Sequence, residues 1–249
     1  MCGRFSLTNT WEEMFEYFSL VRPVESGPPM PPRYNIAPTQ PIVIIRRGED
    51  NRRQGLLVRW GLVPSWVKDP DDFTLLINAR SETATEKPSF KSAMNHRRIL
   101  IPVSGFYEWQ RFGGHKKSQP FWVTSPKDKI IAFAGLMETW LGADGSEIDT
   151  ACILTTAAND NFASIHKRLP MVIQQNDFDR WLDCKQFQSR HIHDMIHPAP
   201  NDYFTPVAVS DDVNKVTNNT VSIQKPINVT RETQIDLDAP QDIDQPKLI

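Results

Sequence analysis

Cysteine is scarce in this chain, and the spacing of its few cysteines excludes two kinds of structural framework. The three cysteines, Cys2, Cys152 and Cys184, are far apart and odd in number within 249 residues. They show neither the pairing of a disulfide-rich domain nor the close spacing of zinc ligands. We therefore expect a reducing compartment, no metal site and no cofactor.

Long apolar runs are also absent. No segment approaches the roughly 20 consecutive apolar residues that a membrane-spanning helix needs. The first residues contain no apolar core of a secretory signal. We expect a cytoplasmic, monomeric protein that does not bind membranes.

The chain as a whole lacks an excess of charge of one sign, although its C-terminal segment has an excess of negative charge. The 28 basic and 30 acidic residues nearly cancel, so bulk charge does not indicate a nucleic-acid-binding protein. Residues 232–249 contain five acids and one base, which leaves residues 1–231 with a net charge of +2. Large apolar side chains are few from residue 228 onwards. We therefore expect a folded domain over 2–227 and a disordered acidic tail over 228–249.

Most of the secondary structure that the sequence predicts is β-strand. Apolar segments at 41–48 and 55–64, separated by a polar stretch, predict a β-hairpin. A second hairpin is predicted from 97–112 and 120–125. The most strand-like segments, 130–140 and 150–158, are separated by a Gly-containing turn, and a last strand is expected within 203–210.

Helices are fewer, and they do not alternate with the strands. Helical spacing over 10–20 predicts a helix capped by Thr10 or Asn9. A second helix is expected to be capped near Ser81, and a third over 177–184. No repeat and no β-α-β alternation is found. The pattern favours an α+β fold in one domain with a mainly antiparallel sheet.

The chain begins MCGRF, which raises the question of what Cys2 does. Met1 precedes a small residue, and we expect it to be removed. Cys2 would then carry a free α-amine beside its thiol, and an N-terminal cysteine alone offers this pair. The amine can form an imine with an aldehyde, and the thiol can close onto the imine carbon as a five-membered thiazolidine. From its position alone, an inert cysteine at a disordered start remains the favoured interpretation.

Three further motifs contain residue types suited to chemistry. The Asn-Ala-Arg motif, with Asn78 and Arg80, offers an amide and a guanidinium for a phosphate or sugar oxygen. Glu108 lies between aromatic residues, where a carboxylate can act as a general acid or base. His166 and Arg168 precede Pro170 in a loop after a strong strand. Each alone is more often an ordinary surface or structural residue.

Taken together, these motifs resemble a known family. Seven blocks occur in order: MCGRF, YNIAPTQ, WGLVPSW, NARSET, RRILIPVSGFYEW, AGLMETW and IHKRLP. This arrangement resembles the SOS-response-associated peptidase family, the abasic-site-processing proteins, over about residues 2–225. Ile99 and Leu169 depart from the cysteine and methionine common in the family, which affects local packing and no polar catalytic group.

The resemblance implies a fold, a partner and a set of roles. It implies a β-barrel-like core and a groove for single-stranded DNA, or a junction of single and double strands, containing an abasic site. Cys2 would form a covalent crosslink to the open-chain aldehyde and shield the site, with a possible strand-cleaving lyase side reaction. Peptidase activity would consist of the self-removal of Met1. The implied catalytic residues are Cys2, Asn78, Glu108 and His166, and the implied DNA-binding residues are Arg4, Arg80, Arg168, Trp66 and Trp109.

Two other functions stay open at this point. Glutamine amidotransferases with an N-terminal nucleophile also begin Met-Cys-Gly, although they lack the GFYEW and IHKRLP blocks. A non-enzymatic module that binds single-stranded DNA would need no reactive terminus. The histidines of the HIHDMIH segment, His191, His193 and His197, lack a carboxylate set, and we expect no metal there.

Overall fold

The computed structural model describes residues 2–21, 31–111 and 118–228. Three α-helices are described: α1 (Trp11–Phe18), α2 (Pro88–His96) and α3 (Phe178–Leu182). The strands are β1 (Arg4–Leu7), β2 (Arg33–Ile36), β3 (Pro41–Arg47), β4 (Arg53–Trp60), β5 (Asn78–Arg80), β6 (Arg98–Val103), β7 (Gly105–Arg111), β8 (Ser118–Thr124), β9 (Ile131–Leu141), β10 (Glu147–Ala157), β11 (Arg168–Pro170) and β12 (Thr205–Ala208).

The larger sheet closes on itself. Its order is β11-β10-β4-β3-β6-β9, and β9 also pairs with β10, so that the last strand returns to the sheet. The β9–β10 hairpin is long because both strands are apolar over most of their length and buried on both faces. The short strand β5 pairs in parallel with β10, and the remaining pairings except β4–β10 are antiparallel. The predicted 41–48/55–64 and 130–140/150–158 hairpins are confirmed.

The smaller sheet has the order β12-β8-β7-β1-β2 and is antiparallel throughout. The segment 97–112, predicted as one strand of a hairpin, is instead two strands that belong to different sheets. Ser104 separates them, because its N–H donates to the Ser6 carbonyl at 2.8 Å and its hydroxyl to Asn9 Oδ1 at 2.7 Å. These tertiary bonds redirect the chain from the barrel to the second sheet.

The helices are determined partly by local and partly by distant contacts. Helix α1 begins after Thr10 as predicted, with a capping box in which Thr10 and Glu13 satisfy each other's backbone N–H groups. The predicted cap at Ser81 is wrong. Ser81 donates its N–H and its hydroxyl to the Thr155 carbonyl in β10, and helix α2 begins at Pro88, a favoured first helical residue.

Both sheets and the helices enclose one main apolar core, which includes Phe5 of β1 and Trp60 of β4. The expected fold class is therefore confirmed: one α+β domain with a mainly antiparallel, barrel-like core. Ile99 and Leu169 are both fully buried in this core. Among the described residues no helix has the length and apolar character needed to cross a membrane. Apart from residue 228 itself, the predicted acidic tail lies outside the described residues.

Candidate active site at the N-terminal strand

Cys2 lies at the start of strand β1, in the middle of the smaller sheet. Arg4 pairs with Tyr107 and Phe5 with Phe106 of the antiparallel strand β7. Continuing this register outwards places Gly3 across from Glu108, so Cys2 and Glu108 are neighbours. The Cys2 residue is 1% exposed and Glu108 is 3% exposed. Cys2 is therefore a buried residue immediately before a packed strand, with a carboxylate beside it.

Asn78 reaches Cys2 from the other sheet. Strand β5 is held by β10, where Asn78 pairs with Ile153. The Asn78 Nδ2 group donates a hydrogen bond of 2.9 Å to the Cys2 carbonyl. Its Oδ1 atom is buried and accepts no hydrogen bond from the residues that the structure describes. One end of this amide thus positions the N-terminal residue, while the other end offers an acceptor beside it.

His166 enters from the loop between β10 and β11. Gln110, two residues along β7 from Glu108 and so on the same face, donates to the Ser164 carbonyl of this loop at 2.9 Å. The Arg168 N–H lies 2.9 Å from His166 Nδ1, closer than the Arg168 carbonyl at 3.2 Å. Nδ1 is therefore the acceptor, and the neutral imidazole carries its proton on Nε2.

Burial and the charge of Glu108 set the protonation states of this cluster. Burial, reinforced by Glu108, raises the pKa of the Cys2 thiol well above its usual range. Burial also lowers the pKa of His166, although the Glu108 charge opposes the change. At neutral pH the cluster consequently contains a protonated thiol and a neutral imidazole. Such a thiol needs a base before it can react as a nucleophile.

Arg168 is held by other groups of the protein through its two terminal nitrogens, while its Nε is buried without an acceptor among the described residues. Its two terminal nitrogens each donate to a carboxylate oxygen of Glu82 at 2.8 Å, and Nη2 also donates to the Thr155 carbonyl. Glu82 accepts a further bond from the Ala157 N–H at 3.2 Å. The sequence analysis missed Glu82, although it lies two residues beyond Arg80 within the NARSET block.

Arg4 is likewise bound internally. Its guanidinium donates to Asn35 Oδ1 at 2.8 Å and to the Val213 carbonyl at 2.9 Å. It also lies 5.9 Å from the centre of the Trp109 ring, whose Nε1 donates to Asn214 Oδ1 at 2.8 Å. Asn35 was missed by the sequence analysis; a lone asparagine in a short strand carries no signal of its burial.

Arg80 and Trp66 face solvent. The Arg80 side chain is exposed and makes no hydrogen bond or ion pair with the described part of the chain. Trp66 is 59% exposed and contacts Phe73 edge-on, with the ring centres 5.6 Å apart. Trp60, by contrast, is buried in the core and donates its Nε1–H to the Ile77 carbonyl at 3.0 Å.

The remaining sequence candidates lie outside this cluster. Cys152 is buried in β10, and Cys184 is half-buried after α3; neither forms a disulfide. His191 and His193 lie in a 3-10 helix, Ser189–Met195. Within 2–21, 31–111 and 118–228, no group of three or more His, Cys, Asp or Glu residues is arranged to hold a metal ion.

Comparison with known proteins gives relatives that match most of this chain. It is 36% identical over 219 residues to abasic site processing protein YoqW of Bacillus subtilis, covering 88% of this chain and 96% of that protein. It is 31% identical over 229 residues to abasic site processing protein HMCES of Gallus gallus, covering 80% of this chain and 67% of the relative.

Solved structures show the same fold. A crystal structure of a protein from Bacteroides thetaiotaomicron superposes with a TM-score of 0.78 at 21% identity, covering 91% of this chain and all of the other. One from Bordetella bronchiseptica gives 0.69 at 25% identity, covering 84% of this chain and all of the other. Residues 1–216 match the family described as SOS response associated peptidase (SRAP). The chain therefore belongs to the SRAP family.

Proposed function

We propose that this protein processes abasic sites by forming a covalent thiazolidine between Cys2 and the ring-opened deoxyribose of an abasic site in single-stranded DNA. The observation that carries the proposal is the contact between Asn78 and Cys2. It holds Cys2 beside an unsatisfied Oδ1 acceptor, next to the buried Glu108 and the half-buried His166. The names of the relatives, which are abasic site processing proteins, support an abasic site as the substrate.

The first step after removal of Met1 is imine formation. The neutral Cys2 amine attacks the aldehyde carbon, and the resulting carbinolamine loses water, which requires a proton on the departing oxygen. His166, with its proton on Nε2, and Glu108 are the groups that move protons here. Asn78 Oδ1 accepts from the amine N–H, which keeps the nitrogen lone pair directed at the aldehyde.

Thiol addition completes the crosslink. The Cys2 sulfur bonds to the imine carbon, the thiol proton is transferred to a base, and the imine nitrogen receives a proton, so the atoms balance without an oxidant. The thiol is protonated at neutral pH because burial and Glu108 raise its pKa. Glu108 is therefore assigned as the base. An imine that the thiol does not close can instead undergo β-elimination, which is the lyase side reaction.

DNA binding is assigned to the groups that face solvent. Arg80 is a phosphate ligand and Trp66 a stacking surface for bases, because both are exposed. Arg4, Arg168 and Trp109 already have internal partners. We assign them the role of positioning the strand next to Cys2 and the loop that carries His166. Contact with DNA is the lesser of their two roles.

A denaturing gel tests the proposal. Wild-type protein, with removal of Met1 verified by mass spectrometry, is incubated with single-stranded DNA that contains one abasic site. We expect a covalent adduct that persists in Cys184→Ala and is absent in Cys2→Ala. Absence of the adduct with verified wild type, together with salt-sensitive DNA binding, would favour the non-enzymatic binding module. Glutamine hydrolysis that depends on Cys2 would favour the amidotransferase.

Glu108→Gln tests the assigned base. Because the thiol needs a base at neutral pH, we expect adduct formation to slow by about a hundredfold, within the range typical of a general base. DNA affinity should be unchanged. Equal rates for wild type and Glu108→Gln would remove Glu108 from the mechanism.

A further inference from the structure

A cavity of about 250 Å³ lies beside the barrel, between the end of β3, the end of α2, strand β9 and the segment after α3. Met137, Thr139, Leu182 and Cys184 form its uncharged lining. Its other lining side chains are all basic: Arg46, Arg47, His96, Arg97 and Arg98. The lining of the cavity is therefore positively charged. Carboxylates that balance this charge belong to residues outside the lining.

Two of these arginines have carboxylate partners. Arg47 lies 3.4 Å from Asp183 and 3.8 Å from Asp179. Arg97 lies 2.9 Å from Glu138 and donates to Thr139 Oγ1 at 3.1 Å. These ion pairs balance the charges of Arg47 and Arg97.

Neither of the other two arginines forms an ion pair within the described residues, although the charge of Asp183 acts on Arg98. Arg98 is 1% exposed, and its guanidinium donates to backbone carbonyls, including those of Trp181 at 2.7 Å and Met94 at 2.9 Å. Arg46 is half-buried, and its Nε–H is buried without an acceptor among the residues the structure describes. Arg46 also has no ion pair within that part of the chain. A buried donor without a partner is costly, so a bound acceptor would stabilise it.

The cavity is separate from the site at Cys2. None of the groups assigned to the crosslink lines the cavity. Ile153 of β10 pairs with Gly135 of β9 on one side and with Asn78 of β5 on the other. The cavity is lined from β9, whereas Cys2 is contacted by Asn78, so the two sites lie on opposite sides of β10.

We propose that this cavity binds a phosphoryl group through Arg46, with Arg97 as a second donor. A tetrahedral oxyanion supplies one acceptor for the Arg46 Nε–H and further acceptors for a forked contact with a guanidinium group. No carboxylate of the lining competes for these donors. The phosphoryl group belongs either to a small phosphate compound or to a DNA strand that extends beyond the abasic site. Both sources present the same acceptor atoms.

Isothermal titration with inorganic phosphate at constant ionic strength tests the site. We expect saturable binding to wild type with a dissociation constant of about 1 mM, and binding at least tenfold weaker in Arg46→Gln. Arg52→Gln is the matched control, because Arg52 is an exposed arginine in the β3–β4 turn paired with Asp50 at 2.9 Å. It should bind phosphate as wild type does.

The proposal is overturned if wild type shows no saturable binding, or if Arg46→Gln binds as tightly as Arg52→Gln. Circular dichroism verifies folding, and if Arg46→Gln does not fold, Arg97→Gln, at a half-exposed arginine, takes its place with the same expectation.

If the protein binds phosphate, its affinity for intact single-stranded DNA identifies the source of the phosphoryl group. A loss confined to Arg46→Gln supports a DNA phosphate in the cavity, and unchanged affinity supports a small phosphate compound.

Discussion

At the scale of single residues, Arg168 links two parts of the candidate site. Its side chain forms a forked ion pair with Glu82, and its backbone N–H donates to His166 Nδ1. Although burial opposes it, the hydrogen bonds from Arg168 hold the pKa of Glu82 below its usual range. Glu82 therefore stays ionised and keeps Arg168 in place, which in turn orients the His166 ring.

Glu82→Gln tests this link. The loss of the forked ion pair should loosen the His166 loop and slow adduct formation about tenfold, while single-stranded DNA affinity stays unchanged. Because the Glu82 side chain is 45% exposed, we expect a loss of stability of only about 1 kcal/mol. Glu86→Gln, at an exposed neighbouring position, is the control. The same rate for both variants would contradict a positioning role for Glu82.

His166 should also make stability depend on pH. Its pKa in the folded protein lies below the ordinary value of 6.5, because burial disfavours the charged imidazolium. As the pH falls through 6.5, the unfolded chain binds a proton that the folded chain does not, so the free energy of unfolding decreases until the folded-state pKa is reached. Urea denaturation at about pH 7.5 and 5.5 should show a smaller decrease for His166→Gln than for wild type. His193→Gln, which changes an exposed histidine, should behave as wild type, and an unchanged pH dependence in His166→Gln would refute the effect.

At the scale of elements, the two shortest strands bring the site together. Strands β5 and β11 have three residues each and flank the same end of β10, where Thr155 pairs with both Arg80 and Pro170. Segments of this length are not stable strands alone. The long β10 strand, buried in the barrel, is thus the support on which Asn78 and the His166 loop are placed.

Helix α1 illustrates an element whose start is local. The Thr10 hydroxyl accepts from the Glu13 N–H at 3.2 Å, and Glu13 accepts from the Thr10 N–H at 2.9 Å. We expect Thr10→Ala to lower the free energy of unfolding by about 1 kcal/mol, measured by urea denaturation. Thr217→Ala, an exposed threonine outside any helix, should have little effect. A Thr10→Ala variant as stable as wild type would show that packing of Met14 and Phe18 alone maintains the helix.

At the scale of the whole molecule, charge is distributed so that few cations near Cys2 are available to a ligand. The chain has a nearly balanced charge, and Arg4 and Arg168 have internal partners. Exposed Arg80 follows Asn78 by two residues on β5. We therefore expect Arg80 to contribute to the electrostatic attraction of a DNA backbone to this face.

Arg80→Ala should weaken binding of single-stranded DNA and reduce its salt dependence. Loss of one phosphate contact lowers the slope of log K against log salt by about 0.7 for a single strand. Fluorescence anisotropy at several salt concentrations measures both quantities. Arg52→Ala, remote from Cys2, should leave the slope unchanged, and an equal slope in Arg80→Ala and wild type would exclude a phosphate contact at Arg80.

Much of the fold was predictable because its strong signals are local. The apolar β9 and β10 segments, the β3–β4 hairpin and the capping box at Thr10 were recognised from spacing and composition alone. Ser81 and Ser104 were misjudged for a shared reason. Each hydroxyl bonds to a residue distant in sequence, Thr155 or Asn9, and no local pattern carries such a contact.

The residue types proposed for the chemistry, Cys2, Asn78, Glu108 and His166, occur in motifs, so the sequence alone determined that proposal. Which arginines have internal partners was decided only by the tertiary structure. Arg4 meets Val213, and Arg168 meets Glu82, across 209 and 86 residues respectively, whereas the Arg80 side chain is exposed. The physical reason is that such partners lie far apart along the chain, and no local pattern of residues records which of them the fold brings together.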